Sequence, residues 1–176
     1  MTPKEKRDRL FKPDKPLVRR LEIMDGEGYS QDMAILWAAY KAGSFRIPED
    51  LTQEAFVTEI ERFFSQFGQV WIVDDRNRRF QKGAGQVGLV MTNNVDLIVE
   101  AKFGFFKWAS PRNVLRATAA FLNMVKHSTK TGICMVRATK DKRTLPEHLK
   151  DYDLLYYVGK VSVNEYLYSI RGRGSG

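Results

Sequence analysis

The sequence has one cysteine, two histidines and no long apolar run, and each shortage closes off a class of protein. A single thiol, Cys134, excludes an intrachain disulfide. It sits in the apolar stretch Ile-Cys-Met-Val, where a free cysteine is expected as a small buried core residue. Nothing beside it in sequence supplies the basic, half-exposed setting that makes a reactive thiolate. His127 and His148, with that one cysteine, cannot make a metal-ligand spacing, so no metal site is expected. No segment approaches the roughly 20 consecutive apolar residues of a membrane-spanning helix. The opening stretch, MTPKEKRDRLFKPDK, lacks the apolar centre of a secretory signal. The expectation is a soluble, cytoplasmic type of protein with no membrane among its partners.

Negative charge is also in short supply: 21 acidic against 29 basic side chains leave a net charge of +8. Much of the excess lies in the first twenty residues, where eight cations face only Glu5, Asp8 and Asp14. Pro3, Pro13 and Pro16 punctuate the same stretch, and residues 1–16 are expected as an extended basic arm ahead of one domain spanning 17–176. Arg171 and Arg173 make the other end basic as well. Two basic ends suit contact with an acidic surface, nucleic acid or a cofactor phosphate. At 43% hydrophobic over 176 residues the chain can bury one sizeable core.

Hydrophobic periodicity gives an alternating α/β order. Leu17–Met24 is expected as a first strand. Ser30 is placed to cap a helix to Ala42, which Gly43 ends. Leu51, Phe56, Ile60, Phe63, Phe64 and Phe67 fall at helical spacing and form core. Strands follow at Gln69–Asp74, Gln86–Thr92 and Leu97–Phe106. Pro111, just after Ser110 as cap, opens a helix to about Lys126. Gly132–Ala138 reads as strand, Leu145–Lys150 as a short helix, and Leu154–Val161 and Tyr166–Arg171 as two closing strands.

Several motifs invite chemistry. Gly83-Ala84-Gly85-Gln86-Val87-Gly88 matches a dinucleotide fingerprint in letters, but a strand follows where a helix must open, so a glycine-rich turn is the better reading. Glu100 stands among apolar neighbours with Ile98, Lys102 and Gly104 on its face. It is solvated, paired, or a general base beside an amine. Tyr152, Tyr156, Tyr157, Tyr166 and Tyr168 crowd the last quarter, mostly as core or sheet residues. Arg112, Asn113 and Arg116 at a helix head read either as an exposed, solvated first turn, the plainer reading, or as a site that meets an anion with help from the helix dipole. Arg76, Arg78, Arg79 and Lys82 form a basic hairpin tip with Phe80, of a type that can stack on nucleic-acid bases, but no known reader motif appears and a solvated turn is the better reading.

The order β-α-α-β-β-β-α-β-α-β-β, carried above all by LIVEAKFGFFKW joined to a helix, then GICMVRA and LLYYVGKV, resembles the GNAT superfamily of N-acetyltransferases over Leu17–Ile170. It also resembles the short GNAT-like proteins of tailed bacteriophages, some of which travel in or on the virion. The resemblance implies a single α/β domain with a twisted, mostly antiparallel sheet. It implies a fourth strand that splays from the fifth, with the pantetheine of acetyl-CoA in the gap. The cofactor residues it points to are Phe105, Lys107, Trp108, Ala109, Ser110, Arg112, Asn113, Val114 and Arg116. Glu100 is the matching base and Tyr152 the nearest candidate acid. The chain departs from the family in one respect: KWASPRNVLRA has none of the glycines of the family's pyrophosphate loop, and Pro111 removes an N–H donor. A degenerate acyl-CoA site, in a protein that works through other chains of an assembly such as a virion, is therefore the leading expectation. An active N-acetyltransferase is the alternative.

Overall fold

A computed structural model describes the chain apart from residues 25, 27, 49, 82–84, 96–97, 129–132 and 172–176, and apart from the side chains of 95, 98, 128, 133–135 and 171. The expected core position of the Cys134 side chain, and Gly83 and Ala84 of the glycine-rich turn, lie outside the described residues. The elements run α1 (Pro3–Leu10), β1 (Leu17–Arg20), α2 (Gln31–Lys41), α3 (Gln53–Phe64), β2 (Gln69–Asp74), β3 (Gln86–Val95), β4 (Ile98–Phe105), α4 (Pro111–Ser128), β5 (Ile133–Thr139), α5 (Thr144–Lys150), β6 (Tyr156–Lys160) and β7 (Glu165–Arg171). They form a mixed α/β domain around one seven-stranded sheet of order β1-β2-β3-β4-β5-β7-β6. Every neighbouring pair is antiparallel except β4 and β5.

The local signals act where the sequence places them. Ser30 Oγ accepts the Met33 N–H at the start of α2. At its end Gly43, with φ +81°, lets Ser44 N–H reach back to the Ala39 carbonyl (2.9 Å), a Schellman closure. Thr52 caps α3, so Leu51 lies just ahead of that helix.

Residues 1–16 differ from the expected extended arm. Thr2 and Glu5 form a reciprocal capping box, with the Glu5 carboxylate accepting the Thr2 N–H at 2.7 Å, and Pro3 takes the first helical position. An eight-residue helix is marginal by itself, and α1 persists by docking: Leu10 is 2% exposed and belongs to the main core.

Two hydrophobic clusters sandwich the sheet. On one face α1, α4 and α5 cover Val73, Val90, Ala101, Val136, Tyr166 and Tyr168. On the other α2 and α3 cover Ile72, Leu89, Met91 and Phe106. The second layer is fastened by Arg19 of β1. Its two terminal nitrogens grip both oxygens of Asp32 at 2.8 Å, while Nε reaches Asp74 at 2.9 Å. Burial alone pushes the Asp32 carboxyl up, but the Arg19 guanidinium and the Glu22 N–H outweigh it and hold the group below its ordinary range. A carboxyl lowered in the folded state stabilises above its unfolded pKa and loses that contribution as the pH falls through the folded one. Asp32→Asn should therefore lower the melting temperature at neutral pH and flatten the loss of stability below about pH 4, which melting curves across the acid range will read.

Candidate functional site: a forked sheet and an occupied helix head

The parallel strands β4 and β5 pair over only four positions, from Ile98↔Ile133 to Ala101↔Val136. Beyond Ala101 each strand follows its outer neighbour. β4 stays on β3 as far as Phe105↔Gly88, and β5 stays on β7 as far as Thr139↔Glu165. The sheet therefore forks, and α4 begins six residues after β4 ends. Phe103 and Phe105 line the fork on the α4 face, stacked at 6.1 Å, with Phe103 edge-on to Phe121 of α4 at 5.7 Å.

The loop between β4 and α4 is held from the other layer. Lys107 N–H donates to Ser44 Oγ (3.0 Å), and the Trp108 indole N–H donates to the Gln86 carbonyl (2.6 Å) while its ring packs on Phe106. Lys107 and Trp108 thus lie on the α2–α3 side, where Trp108 joins the second core. Ala109 packs against the first core, and its N–H closes a turn onto the Phe106 carbonyl.

The head of α4 is occupied by the protein itself. Ser110 Oγ accepts the Asn113 N–H (3.2 Å), and its hydroxyl is within reach of the Phe80 carbonyl (3.1 Å) and Asn113 Oδ1 (2.8 Å). The Val114 N–H closes the first helical turn onto the Ser110 carbonyl. Asn113, 2% exposed, donates its amide to Asp75 Oδ2 (3.0 Å). Arg116 is wholly buried against an equally buried Asp75, giving Nε and Nη2 to the carboxylate at 2.9 and 3.2 Å. Its remaining N–H groups go to the carbonyls of Leu10, Lys12 and Asp14 at the end of α1. All five guanidinium donors are spent. Arg116 and Asn113, expected on a cofactor phosphate, are instead the internal partners of Asp75. Arg112 alone of the three is exposed, 5.3 Å above the Phe80 ring.

Asp75 carries this arrangement and was not singled out by sequence reasoning. It does carry a local signal: Asp75 Oδ1 accepts the Asn77 N–H and Asn77 Oδ1 accepts the Arg79 N–H, two successive Asx turns written in Asp-Arg-Asn-Arg-Arg.

α1 lies across the furrow between α4 and α5. Arg116 holds its C-terminal end, and Arg7 donates to the Tyr152 carbonyl just past α5 (2.6 Å). A hollow of about 280 Å³ remains, lined by Lys6 and Arg9 of α1, Arg112 of α4, and His148 and Tyr152 at the far side.

The two catalytic candidates are not brought together. Val99, Ala101, Phe103 and Phe105 face α4, so alternation turns Glu100 to the opposite, wetter face, where its side chain is 45% exposed. There it bonds Arg137 of β5 across the root of the fork (3.2 Å), and Arg137 also lies 3.9 Å from Glu165. Tyr152 packs on the α4 face, 5.7 Å from the His148 ring. Glu100 and Tyr152 thus stand on opposite faces of the sheet. The Tyr168 hydroxyl is shifted upward from its ordinary range. Burial and the Glu147 carboxylate it donates to (2.5 Å) push it up, against an opposing Arg143 contact. It serves a structural cluster with Arg143 beneath α5.

No protein-family model and no curated protein matches this sequence. Solved structures do match its fold. An acetyltransferase of the GNAT family from Bacillus anthracis superposes with a TM-score of 0.58 at 15% identity, covering 92% of this chain and 97% of that one. A probable GNAT-family acetyltransferase from Chromobacterium violaceum gives 0.58 at 11% identity over 92% and 85%. The ribosomal-protein-S18-alanine N-acetyltransferase of Escherichia coli gives 0.55 at 6% identity over 92% and 96%. At such identities the likeness is one of architecture: the chain has the fold of these GNAT-family acetyltransferases.

Proposed function

We propose that this GNAT-fold protein has a closed, degenerate acyl-CoA site and serves as a component or passenger of a larger assembly, such as a bacteriophage particle. The observation that carries the reading is the clamp of α1 over the furrow beside the fork, with Arg116 and Asn113 consumed by Asp75. In a GNAT enzyme the pyrophosphate would sit at this helix head, and here Asn113 and Arg116 are committed to Asp75, Arg112 alone is left exposed, and no glycine lets a phosphate approach the backbone. The outer strand β6 supports a role among other chains. Tyr156, Tyr157 and Val158 are 41–50% exposed and Val163 in the turn beyond is 83% exposed, on an edge of the sheet that proteins usually blunt. The phage context rests on the sequence resemblance.

Acetyl-CoA titrated into the full chain should give no heat of binding and no rise in melting temperature at about millimolar concentration. A cofactor present at 100 times its Kd would stabilise by about 2.7 kcal/mol, a rise of roughly 5–10 °C for a chain of this size, and such a rise would overturn the reading. In a lysate of the cell that makes it, the protein should sediment with large particles. Recovery only as a free monomer would count against the assembly role.

The fork itself favours the second reading, an N-acetyltransferase in which Glu100 would take a proton from a primary amine as it attacks the acyl carbonyl, the thioester C–S bond breaking and the CoA thiolate leaving to be protonated. Against it, the Arg137 guanidinium already occupies the carboxylate an incoming ammonium would approach. Under this reading Glu100→Gln slows turnover without changing the melting temperature; under the first there is no turnover to slow.

A further inference from the structure

We infer that the protein binds a nucleic-acid phosphate backbone on a basic face assembled from three separate segments: the first fifteen residues, the loop after β2, and the head of α4. The sequence presents these as unrelated basic stretches, and the fold makes them one surface. Asn77 of the loop donates to the Lys12 carbonyl (3.1 Å), and Arg116 draws the carbonyls of Leu10, Lys12 and Asp14 onto α4. Arg79 of the loop and Arg112 of α4 both sit 5.3 Å from the one Phe80 ring. Arg112 in turn shares the hollow beside α1 with Lys6, Arg9 and His148.

The charge on this face is lopsided. Arg76, Arg78, Arg79 and Arg112 are exposed, with no acid among residues 76–80. Residues 1–15 add six cations against three carboxylates, and one of those, Glu5, is engaged in capping α1. Asp75 is spent on Arg116, which leaves Asp151 as the carboxylate on the rim of the hollow.

The chemistry of the surface selects the partner. Protein interfaces are anchored by buried apolar and aromatic side chains. Here Met1 is the one large exposed hydrophobic lining the hollow, while Tyr156, Tyr157, Val158, Val161 and Val163 gather at β6 and the turn beyond. A phosphate backbone needs no such anchor. It is held by charge and by planar guanidinium forks, and this face offers both without any device for reading bases.

Fluorescence anisotropy with labelled mixed-sequence DNA of about 20 nucleotides, single-stranded and duplex, tests this. Between ~50 and ~200 mM salt, binding should weaken by about 40-fold for the duplex and about 20-fold for the single strand, the slopes of roughly three neutralised phosphates. Arg76→Glu with Arg78→Glu, and separately Arg9→Glu with Arg112→Glu, should each weaken binding about tenfold or more at unchanged melting temperature. Lys160→Glu on β6 should leave it unaltered. Three results would each overturn the inference: flat salt dependence, variants that bind as well as the parent, or displacement of the DNA by equimolar polyglutamate or coenzyme A, which would reassign the face to acidic protein or cofactor phosphates.

Discussion

Asp75→Ala should lower the melting temperature of this protein by about 10 °C or more. The substitution removes a carboxylate that is 0% exposed and leaves Arg116, also 0% exposed, charged and without its counter-ion. Breaking one side of a buried pair costs roughly 3–5 kcal/mol, and at this chain length each kcal/mol moves the midpoint by about 2–4 °C. Asn113 loses its acceptor in the same step. Arg116→Met should be comparably damaging: the buried Asp75 carboxylate loses its counter-ion, and the carbonyls of Leu10, Lys12 and Asp14 lose their shared donor. The double variant Asp75→Leu, Arg116→Met should regain only part of the loss. Swapping a buried ion pair for apolar groups is often neutral, but the three carbonyls remain unanswered. Thermal denaturation of the two single variants and the double variant reads all three terms. A shift of Asp75→Ala within about 1 kcal/mol, the range of an exposed pair, would mean that the clamp is not closed in solution.

Gly88→Ala is expected to be the next most damaging change. A Cβ at this position would lie 2.4 Å from the Gly104 carbonyl oxygen and 2.9 Å from Phe105 Cα. Both are backbone atoms of the neighbouring strand, so no side chain can swing aside, and β3 and β4 must separate. Overpacking typically costs about 1–3 kcal/mol, and with rigid backbone on the far side the cost should fall near 3 kcal/mol. The position matters to the fork: Gly88 pairs with Phe105 and holds the last residues of β4 against β3, the side away from β5. Gly159→Ala on β6, with nothing within 4 Å of the new methyl, is the matched control and should be close to neutral. Equal urea midpoints for the two variants would contradict the close approach at Gly88.

The part of this fold written in short-range pattern could be read directly. Ser30 and Gly43 bracket α2, and Ser110 and Pro111 open α4, because capping acts within three or four residues. β2 shows itself as a short apolar run bounded by turns, and alternation along β4 already set Glu100 apart from Ala101 and Phe103. What escaped was set by partners distant in sequence. Arg116 at a helix head is the residue type and place for an anion, and only the fold reveals that the anion is Asp75, forty-one residues earlier. The same holds for α1. Its capping box, Thr2 to Glu5, is a local signal hidden among prolines and charges, yet what keeps so short a helix formed is Leu10 in the core and the bonds from Arg7 and Arg116. Tyr152 follows α5 as expected, but the face on which it lands depends on packing that no spacing encodes.

Closure of α1 over the furrow between α4 and α5 is tested most directly by amide hydrogen exchange of that helix. The Phe11 and Lys12 amides, bonded to the Arg7 and Arg9 carbonyls, should exchange as slowly as those of α4, with protection approaching the global stability. Exchange at the rate of an unstructured chain, while α4 and β4 stay protected, would show an arm that swings free of an open cleft and would contradict the account.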